Sequence, residues 1–291
     1  KSVPGAALDA NLSVSLGALE ARWGRAGAVT FAERYSGPVA LLQAGGATAV
    51  VALQGAQVLS YIPANQCEVL WLSPVAKLGT GKAVRGGVPV CWPWFGPHPS
   101  DPTKPAHGFV RARPWSVTGS AATPTRARLV LAYDASPKLQ TGWPHRAQAE
   151  IEITLAETLT IALSTENRGA GDVEITQALH TYLAVGDISA VSVTGFEGRP
   201  YLDQLKPGPM QKDAEPVRVT AEIDRIYQAC VTPVMVTDQM GQRLMRVAKT
   251  GSCSTVLWNP GPEKSTRLGD MGADGYRHML CVEAANAGTD T

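Results

Sequence analysis

Apolar and polar residues alternate along much of the chain. In AQAEIEITLAETLTIALSTENRG (147–169) the alternation predicts two strands joined by a short turn near Glu157–Thr158, the second ending at Asn167–Gly169. RARLVLAYDA (126–135) is β-branched and apolar and predicts another strand. ATAVVALQGAQVLSYIP (47–63) reads as β-rich stretches broken at Gly55, where a tight bend or a close backbone approach is expected. DVEITQALHTYLAVGDISAVSVTGF (172–196), EPVRVTAEIDRIYQA (215–229), VTPVMVTDQMGQRLMRVAK (231–249) and STVLWNP (254–260) continue the pattern, with a hairpin turn at Gln239–Gln242. Helical periodicity is weak and is confined to SLGALEARWG (15–24) and a short turn near ADGYRHM (273–279). No strand–helix–strand rhythm appears. A parallel α/β fold is therefore disfavoured, and one antiparallel β-sandwich or barrel is the simplest organisation.

Composition narrows this picture. The 291 residues are 44% hydrophobic and 18% charged, enough for a sizeable core. Lys and Arg number 26 against 25 Asp and Glu, so the net charge is +1. That balance lacks the concentrated basic field that nucleic acid or a membrane surface requires. No apolar run approaches the ~20 residues of a membrane span. The first residues, KSVPGAALDANLSVSLGALEARWG, contain no signal-peptide core. The five cysteines, Cys67, Cys91, Cys230, Cys253 and Cys281, are odd in number and contain no CxxC. They argue against a disulfide framework or zinc ribbon and fit a reducing cytoplasm. Cys91 and Cys281 sit in apolar contexts that predict buried free thiols.

One segment resists the strand pattern. RGGVPVCWPWFGPHPSDPTKPAHGFVRARPW (85–115) is interrupted by Gly and Pro too often for a long helix or a central strand. It nevertheless carries Trp92, Trp94, Trp115, His98, His107, Arg85, Arg111 and Arg113. Such a loop presents rings and guanidinium groups at a binding surface, or caps the end of a sandwich.

Two further residues are candidates for chemistry. In ITQALHTYLAVGD, period two sets Val173, Ile175 and Leu179 on one face and Glu174, Thr176, Ala178, His180 and Tyr182 on the other. His180 thus points to the more polar face, as a packed or solvated residue or as an acid–base group. In HMLCVEAANAG, Glu283 shares a face with Met279, Cys281 and Ala285. Partial desolvation there raises a carboxyl pKa and suits a general base, while a Glu at the end of an edge strand is the plainer reading. His98 and His107 lack compact metal-ligand spacing; HExxH, GxxxxGK[ST] and GxSxG are all absent. A β protein with His, Glu, Arg and Trp on loops and polar faces suits acid–base chemistry on a polar, ring-shaped ligand such as a sugar.

Five ordered stretches carry a resemblance to a known family. They are LWLSPVAKLGTGKAVRGGVPVCWPWFGPHP (70–99), PAHGFVRARPW (105–115), ALHTYLAVGDI (178–188), IDRIY (223–227) and LWNPGPEKSTRLGDMGADGYRHMLCVEAANA (257–287). From about residue 40 onward the chain resembles the hexose-6-phosphate mutarotases, or glucose-6-phosphate 1-epimerases, of the aldose 1-epimerase superfamily. The resemblance implies an all-β, single-domain antiparallel β-supersandwich with few short helices. It implies His180 as general acid and Glu283 as general base, His107 and Asp224 in contact with the sugar, and Arg85 and Arg111 on the phosphate side. Where some relatives carry Gln before the His-Gly pair, this chain has Ala106, which brings no side-chain hydrogen bond. The expectation is a cofactor-free isomerase without a metal, interconverting the anomers of a hexose 6-phosphate. Its rivals are an aldose 1-epimerase on unphosphorylated sugar, against which Arg85 speaks, and a non-catalytic carbohydrate-binding sandwich. Residues 1–35 are expected as an N-terminal extension packed on a mutarotase domain at 36–291. A cytoplasmic monomer acting on a small-molecule phosphosugar is expected, without nucleic acid or membrane as partner. A carboxylate near His180 is expected to raise its pKa.

Overall fold

The alternating segments become strands that pair with their chain neighbours, as short connections favour. The structure is a computed structural model that describes residues 15–140 and 142–291. The N-cap Ser15 opens helix α1 (Leu16–Trp23) by accepting the Ala18 N–H on its hydroxyl. The Glu20 carboxylate accepts the Phe31 N–H at 2.8 Å and ties the helix to the first strand. Strands β1 (Val29–Arg34), β2 (Gly37–Ala44), β3 (Ala47–Ala52) and β4 (Val58–Ile62) form an antiparallel meander. The expected extension over 1–35 lies outside the described residues up to position 14; from 15 it supplies α1 and then β1, an edge of this sheet.

After the two-residue β5 (Val90–Cys91) comes a second meander of β6 (Ser116–Thr123), β7 (Arg126–Ala135), β8 (Ala147–Leu155) and β9 (Leu159–Asn167). The β8–β9 turn falls where the alternation breaks. Across β7 and β8, Leu129 opposes Ile153 and Leu131 opposes Ile151. These four pack with Ala40, Leu42, Ala49 and Val51 of the first meander in one core.

The chain continues through β10 (Gln177–Leu179), β11 (Tyr182–Ala184), β12 (Val191–Thr194), β13 (Pro200–Asp203), β14 (Gln211–Lys212), β15 (Val217–Arg218), β16 (Ile223–Tyr227), β17 (Val234–Asp238) and β18 (Arg243–Val247). It closes with β19 (Ser254–Asn259) and β20 (Met279–Asn286). The large sheet runs β14-β13-β16-β19-β20-β10-β5, with β11 also paired to β20; β15-β12-β17-β18 form a fourth sheet. Period two then decides which side chains face which layer. Tyr227, Leu257, Leu280 and Val282 turn to Val191, Val193, Val234 and Val236 of the fourth sheet. Ile226, Val256, Trp258, Cys281, Ala285 and Ala178 turn the opposite way and floor a cleft.

Two local readings change. DVEITQALHTYLAVGD is strand only at 177–179 and 182–184, because the chain steps out of the ladder at His180–Thr181. There the His180 N–H bonds to the Pro89 carbonyl and the Tyr182 N–H to the Gly87 carbonyl. A second helix, α2 (Gly261–Arg267), occupies a stretch without apolar periodicity; Glu263 in its first turn and Lys264 and Arg267 in its last turn complement its dipole. Among the described residues no helix is long and apolar enough to cross a membrane.

Candidate active site

The irregular segment 85–115 is held by backbone contacts that exclude a side chain. Gly86 has φ +106°, and a Cβ there would lie 2.5 Å from the Trp71 carbonyl oxygen. Gly108 has φ +75°, and its Cβ would lie 1.8 Å from the Trp92 carbonyl oxygen. These glycines follow Arg85 directly and His107 directly, so each close approach fixes where a candidate side chain leaves the loop. Trp92 and Trp94 pack beneath the cleft rather than walling it. Both belong to the core of the two meanders, and their indole N–H groups donate to Thr165 Oγ1 and the Pro105 carbonyl, each at 3.0 Å. Arg113 is exposed, and its carbonyl accepts the Gly55 N–H, as a brace for the loop.

At the cleft floor, His180 Nδ1 stands 3.2 Å from Glu283 Oε1. The imidazole is 7% exposed and the carboxyl residue 1%. The two are near but not aligned, so among the described residues Nδ1 has no hydrogen-bond partner, and neither has the other carboxyl oxygen, Glu283 Oε2. Glu283 lies mid-strand in β20, opposite Val256, with β19 on one side and β10 and β11 on the other, not at a sheet edge. Burial pushes the Glu283 carboxyl well above its ordinary value; Asp224 adds to this and Arg111 opposes it. Burial drives His180 well below its ordinary value; neighbouring His107 and the guanidinium charges of Arg111 and Arg85 push the same way. This reverses the expectation that a nearby carboxylate raises the His180 pKa. Desolvation of the ring outweighs the attraction of a carboxyl whose own ionisation burial opposes.

The other four candidates surround this pair. His107 has φ +64°, its ring lies edge-on 5.7 Å from that of His180, and its Nδ1 accepts the Gly96 N–H at 3.2 Å. Nε2 is therefore the protonated nitrogen, free to donate into the cleft. Burial, Arg111 and Arg85 lower the His107 pKa to about 3, so the ring stays neutral. Arg111 leaves a short 3-10 turn, and its guanidinium donates to the carbonyl of Ala106 at 2.7 Å; that position thus contributes through its backbone. Arg85 donates from Nε to Asp270 Oδ1 at 2.7 Å and from Nη1 to the Tyr182 hydroxyl at 3.3 Å. Asp224 sits on β16 opposite Trp258, and burial raises its carboxyl to about 6, against the pull of Lys264.

Sequence reasoning missed several neighbours. The aromatic wall is Trp71, Tyr182 and Trp258. Tyr182 stacks on His180 with centroids 4.7 Å apart and planes 9° apart, and Trp258 meets His180 edge-on at 5.9 Å. Lys264 of α2 lies 6.0 Å over the Trp258 ring. Tyr182 shares the alternation face of His180, which was the available signal; Asp270 and Lys264 come from distant loop and helix positions and left none.

His180, Cys281 and Glu283 each offer one ligand atom, all within 4.8 Å of one another. That donor set suits a borderline-soft divalent ion. Two guanidinium groups facing the same cleft oppose a cation, and burial holds the Cys281 thiol well above its ordinary pKa. The arrangement fits proton transfer better than metal binding. A separate cavity of about 490 Å³ is lined by Asp187, Arg218, Asn259, Tyr276 and Arg277. Its buried polar member, Asn259, is already bonded to the Tyr276 and Met279 carbonyls and the Gly261 N–H.

A β-supersandwich with this cleft is the architecture of the galactose mutarotase-like isomerases. The family model of aldose 1-epimerase matches residues 38–291, and the chain belongs to that family. A protein of Escherichia coli (strain K12) named "Putative glucose-6-phosphate 1-epimerase" is 37% identical over 237 residues, covering 81% of this chain and 79% of that protein. One of the same name from Cenchrus ciliaris is 33% identical over 248 residues, covering 81% and 74%. The crystal structure titled "putative mutarotase (YeaD)" from Salmonella typhimurium superposes with a TM-score of 0.82 at 32% identity, over 89% of this chain and 86% of that one. Galactose 1-epimerase from Lactobacillus acidophilus NCFM superposes with a TM-score of 0.63 at 14% identity over 88% and 90%, a likeness of fold alone.

Proposed function

We propose that the enzyme interconverts the α and β anomers of a hexose 6-phosphate, with glucose 6-phosphate as the substrate to test first. The observation that carries this is the convergence of a buried imidazole and a buried carboxyl, 3.2 Å apart, on a floor faced by two guanidinium groups. Mutarotation needs one group to take the proton of the anomeric hydroxyl and another to protonate the ring oxygen. Glu283 takes the first proton as carboxylate. His180 delivers the second as imidazolium, from Nε2, on the side of the ring away from Glu283. The C1–O5 bond breaks, the open aldehyde rotates about C1–C2, and the two groups exchange roles on closure.

The proton count permits this. Neutral imidazole with neutral carboxyl holds the same single proton as imidazolium with carboxylate. Burial favours the uncharged arrangement in the free cleft. A phosphate dianion beside Arg85 and Arg111 offsets the two charges that depress His180, and so favours moving the proton to the imidazole. His107 Nε2–H and the Asp224 carboxyl serve the sugar hydroxyls. The guanidinium forks of Arg85 and Arg111 match phosphate oxygens. The setting that fits is a cytoplasmic monomer, a reading to which the five unpaired thiols contribute. Anomer-exchange NMR on glucose 6-phosphate beside free glucose and galactose tests the reading. Faster exchange of the phosphosugar is expected. Exchange at the spontaneous rate on every sugar overturns it.

A further inference from the structure

Arg85 is immobilised to a degree that phosphate binding alone does not require. Its backbone carbonyl accepts the Ser73 N–H at 3.1 Å. Its Nε is taken by Asp270, and one Nη1 proton by the Tyr182 hydroxyl. Three of its five N–H donors remain for a ligand. Asp270 is anchored in turn, since the Ser73 hydroxyl donates to its carbonyl at 2.6 Å.

Tyr182 is 3% exposed and makes contacts of two kinds. One face of its ring lies flat on the His180 imidazole at 4.7 Å, and it also stacks on Trp71 at 5.9 Å and 24°. Its hydroxyl reaches the arginine. A ring retained for packing alone has no need of a buried hydroxyl aimed at a guanidinium.

We propose that Tyr182 is a positioning residue. It holds the His180 ring and the Arg85 guanidinium in one rigid unit, whose far end Asp270 fixes, so that phosphate recognition and proton transfer are set in register through one side chain. The proposal rests on the acid–base reading above for its kinetic consequences, though not for its geometry. The stack acts on His180 and therefore on turnover of any sugar. The hydroxyl and Asp270 act on Arg85 and therefore on the phosphosugar alone.

The test uses the full chain with Tyr182→Phe, Tyr182→Leu and Asp270→Asn, each assayed by anomer-exchange NMR on glucose 6-phosphate and free glucose. Tyr182→Phe keeps the stack. It should raise KM for glucose 6-phosphate about fivefold, several times more than KM for free glucose, with kcat on either sugar changed less than about threefold. Asp270→Asn should raise the same KM by about tenfold. Tyr182→Leu should lower kcat on both sugars by about 10²-fold, because the imidazole is no longer held in line. A Leu variant with wild-type kcat, or a Phe variant equally impaired on both sugars, overturns the proposal. A wild-type chain that exchanges no sugar removes the acid–base reading instead. Proton NMR of the His180 ring then decides the positioning role: Tyr182→Leu should displace its Hδ2 and Hε1 resonances and Tyr182→Phe should leave them near place, whereas unmoved resonances in the Leu variant overturn it.

Discussion

His180 Nδ1 and Glu283 Oε1 lie 3.2 Å apart, yet neither satisfies the other. Two buried polar groups left this way cost stability unless a ligand completes them. Each should therefore matter far more to turnover than to folding. His180→Asn and Glu283→Gln should each reduce the exchange rate on glucose 6-phosphate by about 10²–10⁴-fold with the fold intact. The double variant should lose little beyond the worse single variant, because the two act as one device. Multiplicative losses, measured by the same NMR exchange, would count against a shared role.

The pH profile follows from opposite shifts. His180 is lowered from its ordinary 6.5 and Glu283 raised from its ordinary 4.5, so the pair keeps one proton over a broad window. On a neutral sugar the rate should be bell-shaped, its acid limb below pH 6.5 and its alkaline limb well above 4.5, both belonging to the pair rather than to either residue. An inflection near pH 6 on that sugar belongs to Asp224, whose carboxyl is raised to about 6, and Asp224→Asn should remove it. Glucose 6-phosphate adds the second ionisation of its phosphate, at about 6, and so hides that feature. A His180-type limb above pH 6.5 on the neutral sugar would show that burial does not dominate the imidazole.

Stability should move against activity. The native Glu283 pKa lies above the unfolded value, so between the two the native state binds more protons than the unfolded chain. Stability then falls as pH rises through that window, at up to about 1.4 kcal/mol per pH unit for this group. Glu283→Gln carries no such penalty. Its Tm should exceed that of the wild type at pH 7, and the two should converge below pH 4.5. A variant less stable at pH 7 than at pH 4.5, relative to wild type, would mean that the carboxylate is compensated in the fold.

The alternation made the long strands legible and the short ones invisible. Over the nine or ten residues of β7, β8 and β9 a period of two is unmistakable. In β5, β14 and β15, two residues each, no period exists. The same alternation set Glu283 beside Cys281 and Ala285, where the cleft floor has them, but could not show that β20 is central, because pairing with β19 and β10 is a matter of topology. Pattern singled out His180 and Glu283, and the irregular loop held Arg85, His107 and Arg111, but Asp224 and the role of each residue came from motif resemblance. Asp270 meets Arg85 across 185 positions of chain, and nothing local in RLGDMGADG signals that contact.

Substrate selectivity should reside in Arg85. Its guanidinium keeps three donors for a ligand and is held rigidly by Asp270 and Tyr182. Arg85→Ala should raise KM for glucose 6-phosphate by about 10–10²-fold and leave free glucose within about threefold, since only the phosphate makes the charge-assisted contact. Arg85→Lys should recover part of the charge but not the fork. Equal losses on both sugars would remove Arg85 from the phosphate side.

Gly108 is the most constrained point of the substrate loop. It combines φ +75° with a Cβ position only 1.8 Å from the Trp92 carbonyl oxygen. Both obstacles are backbone. The Phe109 N–H bonds to that same Trp92 carbonyl at 3.2 Å, so the strand cannot shift away without losing a hydrogen bond. Gly108→Ala must therefore both strain φ and push the loop outward, at a cost on the order of 3–5 kcal/mol. For a chain of this size that corresponds to a Tm lower by on the order of 10 °C. Because His107 precedes Gly108 and Arg111 follows Phe109 and Val110 in the same turn, the displacement reaches two candidate ligands at once. KM for glucose 6-phosphate should rise along with the loss of Tm. A Gly108→Ala protein that melts and binds like the wild type would show that the loop is free to move there, and that the Gly108 contact does not set the position of His107.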